Sequence, residues 1–347
     1  MSKNKKLYWQ LPVIVIVVVG ALLISHNIET PYQHDQGFVF GTVYHVTYQS
    51  KENLKDSIEA ELKKVDNSLS MFNSKSTISR FNNGTSISLD DDSMFADVFV
   101  KAMKISKTTG GAFDITIAPL VNAWGFGFKS KKMPSAKQVD SLRQFIGYQR
   151  IRYDTHNGKR YIEKSDPRMM LDCSAIAKGY GSDVVARFLR KKGIHNFMIE
   201  IGGEIVASGV SEKRVPWKIG VTKPTDDSLA ENEELQTVLN VTDIAMATSG
   251  NYRNFYYNGG KKYAHTIDPH TGRPVQHNIL SSTVLAHDCA TADAFATSFM
   301  VTGLSGAQKI LKKHPELMVY FIYSDEKGKN QVWFSKKMRE KILSNQN

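Results

Sequence analysis

The chain has almost no cysteine. Cys173 and Cys289 are the only two, with no Cys-x-x-Cys pair and no zinc-ligand spacing, so neither a disulfide scaffold nor a structural zinc site is supported. An oxidising compartment permits one disulfide between them, and the sequence leaves open whether they meet. Long basic blocks and nucleic-acid motifs are missing too. Lys and Arg exceed Asp and Glu by 11, but the positive charge is spread along the chain. That argues against nucleic acid as a partner and leaves either a solubilising surface or one suited to anionic lipid or an anionic ligand. Internal repeats and low-complexity tracts are absent. What remains is 347 residues with 41% apolar side chains, ample for a buried core.

One long apolar run is present, from Leu11 to Ile24 and extendable back to Leu7, preceded by Lys3, Lys5 and Lys6. Basic residues ahead of such a run indicate export or anchoring. No Ala-x-Ala site follows it and no cysteine is placed for lipid attachment, which favours an uncleaved anchor close to the ~20 residues that cross a bilayer. The expected organisation is a basic cytoplasmic N-terminus at 1–6, a transmembrane signal anchor at 7–27, a polar tether at 28–37 containing Pro31, and one domain at 38–340. That domain would lie on the extracytoplasmic, periplasmic side of a bacterial inner membrane.

Periodicity gives the elements of that domain. Phe38 to Tyr48 alternates and reads as a strand, and Leu54, Ile58, Leu62, Val65 and Leu69 recur at helical spacing. Further helices are predicted at Ser93–Lys107, Ser135–Ile146, Ser174–Lys192, around Asp293, and at Ser305–Lys313. Strands are predicted at 150–153, 160–163, 197–201, 204–207, 217–221, 237–241, 279–285, 317–323 and 331–334. A hairpin is predicted from Tyr252 to Ile267 around Asn258-Gly259-Gly260. Thr225 to Glu234 reads as an exposed polar loop. The sum is an α+β fold, because strands group together instead of alternating strictly with helices.

Four stretches carry residues that could do chemistry. In Asp288 to Thr297, an acid and a hydroxyl four residues apart share one helix face, so Asp293 and Thr297 present two hard oxygens suited to Mg²⁺. A full shell needs about six oxygens, which points to other chain segments, water or a substrate phosphate. The alternative is an ordinary helix start, with Thr291 as N-cap and Asp293 favoured in the first turn. Gly110 to Thr116 suits close backbone approach to a ligand or a plain connecting turn. Asp172 precedes a helix and could cap it. Lys178, about two turns along and flanked by small residues, could bind phosphate or a ring carbonyl or simply be solvated. His265, before an Asp-Pro and Thr-Gly turn, is either structural or a general base suited to neutral pH.

In order and spacing these stretches resemble the ApbE-type FAD:protein FMN transferases. The resemblance runs from Gly41 to Gly303 through Gly41-Thr42, Ser79-Arg80-Phe81-Asn82, Gly111-Ala112-Phe113-Asp114, Asp172 to Tyr180, Ile201-Gly202-Gly203-Glu204, Thr248-Ser249-Gly250, His265-Thr266-Ile267-Asp268-Pro269 and Thr291-Ala292-Asp293-Ala294. It implies a single mixed α/β domain of T-fold-like type. It further implies that Asp293, Thr297 and the backbone carbonyl of Ala175 hold Mg²⁺, and that Ala112, Phe113, Asp114, Asp172, Lys178 and the His265 to Ile267 strand contact FAD. Phe40 stands where the family has methionine and Phe72 where it often has tyrosine; both can cover an isoalloxazine ring, though Phe72 lacks the hydroxyl. The implied reaction moves FMN from FAD to a serine or threonine hydroxyl of an acceptor protein and releases AMP, with His265 as the expected base. Family acceptors carry an Asp-x-x-Ser/Thr-Gly-Ala-Ser/Thr motif. None occurs here, since Ser305-Gly306-Ala307 runs on into Gln308 without the leading acid, so the acceptor is expected to be a separate exported or membrane protein. Two alternatives are hydrolysis of FAD to FMN and AMP, and flavin binding without catalysis.

Overall fold

The structure is a computed structural model, describing residues 30–128, 133–224, 234–251, 255–258, 261–276 and 278–343. The expected leader and anchor at 1–27 lie outside the described residues, as do most of the 225–234 loop and the Gly259-Gly260 turn. No helix among the described residues is long and apolar enough to cross a membrane.

The chain begins with β1 (Tyr32–Val39) and β2 (Thr42–Gln49), an antiparallel hairpin. Two expectations change here. The single strand predicted at 38–48 is turned back by Phe40 and Gly41, whose φ values of 51° and 76° are the pair of positive angles a two-residue hairpin turn demands. Most of the stretch expected as a tether is β1 itself. Its polar look misleads because Asp35 is buried, accepting from Tyr48 Oη at 2.7 Å and Asn53 Nδ2 at 3.0 Å.

Next come α1 (Lys55–Leu69), α2 (Thr77–Asn83), β3 (Ser86–Ser88), α3 (Ser93–Thr108), α4 (Ala118–Ala123) and α5 (Ala136–Arg143). The predicted α1 residues Ile58, Leu62, Val65 and Leu69 are all buried. Ser135 and Gln138 form a capping box that starts α5. The chain continues with β4 (Ile151–His156), β5 (Lys159–Lys164), α6 (Ser174–Lys191), β6 (Phe197–Ile201), β7 (Glu204–Ser208), β8 (Trp217–Thr222) and β9 (Leu235–Val241). It ends with β10 (Ile244–Gly250), β11 (Phe255–Asn258), β12 (Lys261–Ala264), β13 (Ile267–Asp268), β14 (Arg273–Pro274), β15 (Ile279–Ala286), α7 (Cys289–Leu311), β16 (Met318–Ser324) and β17 (Asn330–Phe334). The two helices predicted around Asp293 and at Ser305 are one rod bent at Gly303, where φ is 67°.

An antiparallel sheet of order β1-β2-β6-β7-β10-β15-β16-β17 forms the centre. The absence of parallel pairing within it bears out the α+β reading. The sheet's central strands β7 and β15 are buried on both faces, toward which alternate residues point. Val206, Ala245 and Val284 face α6 and α7, whereas Ile205, Met246 and Leu285 face the β8–β9 hairpin. The helix layer therefore runs over β7, which starts just after Gly203, and β10, which ends at Gly250.

Candidate functional site

The site starts from how closely α6 and α7 cross. A Cβ on Gly179 would lie 2.4 Å from the carbonyl oxygen of Cys289, so only glycine permits this approach. The first turn of α7 leaves amides without helical partners, and two acids satisfy them. Asp288 accepts from the Thr291 amide at 2.8 Å, and Asp183 of α6 accepts from the Cys289 and Ala290 amides at 2.8 and 2.9 Å. Burial pushes the Asp183 carboxyl up to about 6 despite those bonds. This corrects the ordinary-helix-start alternative: Asp288, not Thr291, is the N-cap, and Asp293 lies beyond the first turn.

Asp293 is 2% exposed, and its Oδ2 accepts from the Gly179 amide at 3.2 Å. In a regular helix that amide would point at the carbonyl of Ala175. Ala175 departs from helical geometry, with φ −91° and ψ 16°, and the Asp293 carboxylate takes up the Gly179 amide. One turn further along α7, Thr297 Oγ1 lies 3.1 Å from Ser249 Oγ at the end of β10.

Lys178 reaches into the same corner, its Nζ 3.2 Å from Glu204 Oε1 and 4.0 Å from Asp293 Oδ2. Burial pulls its pKa down, but the Asp293 and Glu204 carboxylates outweigh that and raise it. Burial pushes Glu204 up to about 8, with Lys178 opposing, and raises Asp293 against the influence of Lys178 and the Gly179 amide. Glu204 Oε2 is buried without a hydrogen-bond partner among the described residues. A carboxylate, a hydroxyl and a carbonyl make a hard-oxygen donor set, and an orphaned buried carboxylate oxygen beside it leaves a cation wanted. These residues fit Mg²⁺.

The opposite wall is the turn after α3. Gly110 and Gly111 adopt φ of 64° and 89°, closed to side chains without strain, and deliver Ala112, Phe113 and Asp114. Asp114 Oδ1 accepts from the Thr116 amide and hydroxyl at 2.9 and 2.7 Å, and Oδ2 from the Tyr148 amide at 2.8 Å. Burial still raises its pKa. Asp172 is likewise buried with a raised pKa, and its Oδ1 accepts from the Ser174 amide at 2.7 Å. Phe40 occupies a left-handed conformation unusual for a bulky side chain. Its ring fills the space a Cβ on Gly181 would take, 2.6 Å from Cε2. Phe72 is 76% exposed, edge-on to Phe128 at 5.0 Å. His265 is half-buried in the bend between β12 and β13, its ring 6.4 Å from that of Phe126.

All these groups share one cavity of about 1020 Å³. Phe40, Phe72, Ala112, Phe113, Asp114, Asp172, Ala175, Lys178, His265, Ile267, Asp293 and Thr297 all line it, so every residue expected at the site is brought there. Glu204, Ser249 and the β8 strand also line the cavity and were not among the expected ligands. The Gly202-Gly203 pair ahead of Glu204 was the available signal, whereas nothing in the sequence marks Asp183 as the residue that seats α7.

The sequence model of the ApbE family matches residues 40–321. The chain is 36% identical over 326 residues to the FAD:protein FMN transferase of Haemophilus influenzae, covering 91% of this chain and 93% of that one. It is 34% identical over 297 residues to the enzyme of the same name from Escherichia coli strain K12, covering 85% and 83%. The flavin transferase ApbE of Vibrio cholerae superposes with a TM-score of 0.79 at 31% identity, over 90% of this chain and 100% of that one. The chain belongs to the ApbE family.

Proposed function

We propose that this chain is an FAD:protein FMN transferase that moves FMN, in a Mg²⁺-dependent reaction, from FAD to a serine or threonine hydroxyl of a separate acceptor protein. The carrying observation is the single cavity. Asp293, Thr297, Ala175, Lys178 and Glu204 form its polar end, and Ala112–Asp114, Phe40 and His265 are among the residues that line the rest. Such a cavity combines mainly apolar walls for a ring system with a few convergent charges for a diphosphate.

Asp293, Thr297 and the Ala175 carbonyl would hold Mg²⁺, which when bound neutralises diphosphate oxygens. Lys178 adds a fixed positive charge beside them, held in place by Glu204. Ala112 and Phe113 offer backbone and ring surface to the flavin, and Phe40 and Phe72 close over it. The acceptor oxygen attacks the phosphorus of the FMN half, the bond to the AMP oxygen breaks, and AMP leaves. His265 accepts the proton released by the hydroxyl, a contribution typically worth about 10²–10⁴-fold. With residues 7–27 as anchor, the domain would act on the extracytoplasmic side of a bacterial inner membrane, and protease treatment of spheroplasts checks that placement.

The test is incubation of the purified protein with FAD, MgCl₂ and an acceptor carrying the Ser/Thr motif, followed by detection of a covalently fluorescent acceptor band. Transfer should disappear with chelator and in Asp293→Ala. AMP release at full rate without acceptor would make the chain a hydrolase instead. FAD binding with no AMP release under any condition would reduce it to a carrier.

A further inference from the structure

We infer that His270, which does not line the cavity, is a positioning residue that ties the flavin-facing loop 110–114 to the wall carrying His265; this rests on the proposed flavin transfer. Its ring lies between two groups that only accept hydrogen bonds. Nε2 is 2.9 Å from the Gly110 carbonyl and Nδ1 is 3.1 Å from Asp268 Oδ1. Each ring nitrogen thus faces an oxygen acceptor, one on each side of the ring. Asp268 is itself set in place, since its Oδ1 also accepts the His270 amide at 2.9 Å and its carbonyl accepts the Gly272 amide at 2.8 Å.

Elsewhere the loop is held by hydrogen bonds to the end of α3, among them the Ala112 amide to the Thr109 carbonyl at 3.3 Å, and by Ala112 clustering with Val275 and Val301. The Gly111 amide donates to Ser106 on α3 at 2.8 Å, the Phe113 amide to Thr109 Oγ1 at 3.2 Å, and Asp114 is anchored as described. The hydrogen bonds among these lie on the α3 and α5 side. His270 adds a hydrogen bond from the opposite wall, across 160 residues of sequence, to the apolar contact that Ala112 makes with Val275. A Cβ on Gly111 would sit 3.4 Å from Nε2, in ordinary contact, so it is the φ of 89° that calls for glycine there. Ala112, Phe113 and Asp114 on one side and His265, Thr266, Ile267 and Pro269 on the other line the cavity, and a clamp between the two segments fixes its width where the flavin ring would enter.

The test uses His270→Ala and His270→Lys in the full chain; lysine can donate to both acceptors. Because the ring is exposed, neither variant should fail to fold, which melting temperature checks. In His270→Ala, amide hydrogen exchange across 107–114 in the ligand-free protein should accelerate. The KM for FAD should rise roughly three- to tenfold, the range of an ordinary net hydrogen bond, with kcat little changed. His270→Lys should recover most of both. Unchanged exchange and unchanged KM in His270→Ala would overturn the clamp, and so would a fall in kcat at constant KM. Wild-type protein that neither binds nor turns over FAD would sink the functional reading, while the exchange comparison would still decide whether the clamp exists.

Discussion

Replacing Lys178 with methionine keeps the length of the side chain and removes its charge, leaving Glu204 and Asp293 buried without their shared cation. At an effective dielectric of about 20, attractions across 3.2 and 4.0 Å are each on the order of 4–5 kcal/mol, much of it offset by desolvation. Losing one partner of a buried pair typically costs about 3–5 kcal/mol. Lys178 retains 27% exposure toward the cavity, which argues for about 3 kcal/mol. At about 2–4 °C per kcal/mol for a domain of this general size, the chelator-treated variant should melt roughly 6–12 °C below wild type at pH 8.5. The sign with pH follows from Glu204. Burial pushes its pKa up to about 8 even with Lys178 opposing, and removing the ammonium raises it further. A proton therefore takes the missing cation's place as pH falls, and the deficit should shrink by more than half at pH 6. Thermal melts of both proteins at the two pH values, without divalent metal, measure this. A loss under about 2 °C at pH 8.5, or an equal loss at both values, would refute the role of Lys178 as counter-ion to both acids.

Gly179→Ala should be among the most damaging single changes, because the new methyl meets backbone at 2.4 Å and must push α7 away from α6. Expect a loss of about 3 kcal/mol or more in denaturant melts and loss of Mg²⁺ stabilisation, since Asp293 moves off the Gly179 amide. Asp183→Ala orphans two buried amides and should cost roughly 2–4 kcal/mol, and Asp183→Asn less. Because burial raises the Asp183 pKa to about 6, its contribution to stability falls as pH rises from about 4 to 6, and Asp183→Asn should lack that slope in a pH series of melts. Phe40→Asn relieves a left-handed backbone worth about 1–3 kcal/mol while losing ring contacts. Stability should change little as FAD affinity drops severalfold, measured by flavin fluorescence quenching.

Much of the fold could be read from residue patterns, and what could not shares a cause. The α1 heptad-like spacing puts Ile58, Leu62, Val65 and Leu69 inside, as a stripe of that width must. The helices α2 and α4 escaped because seven and six residues span too few turns to show a period, although Pro119 at the start of α4 was a usable sign. The β1–β2 turn escaped because alternation continues straight through Phe40. A large aromatic residue is not expected at positive φ, and the reason it is tolerated, the space above Gly181, is a tertiary fact. The Asp35 cluster likewise makes a polar stretch behave as a strand only once Tyr48 and Asn53 are in reach.

The site was legible for a different reason: each ligand-bearing stretch advertises itself through residues costly to place anywhere else. An acid within an alanine-rich helix, a lysine beside glycines and a Gly-Gly pair before Ala-Phe-Asp are each locally unfavourable, and each becomes sensible only when the others face it. The hidden components are those whose conflict is resolved within the packing. Asp183 reads as an ordinary helical acid, yet it aligns the first turn of α7, while Gly179 sets how near that turn can come. Together these two residues determine where Asp293 lands. A substitution at Asp183 should thus weaken metal binding without touching any expected ligand, and titrating Asp183→Ala with Mg²⁺ by calorimetry checks it. Affinity equal to wild type would mean that Gly179 contact alone registers the helices.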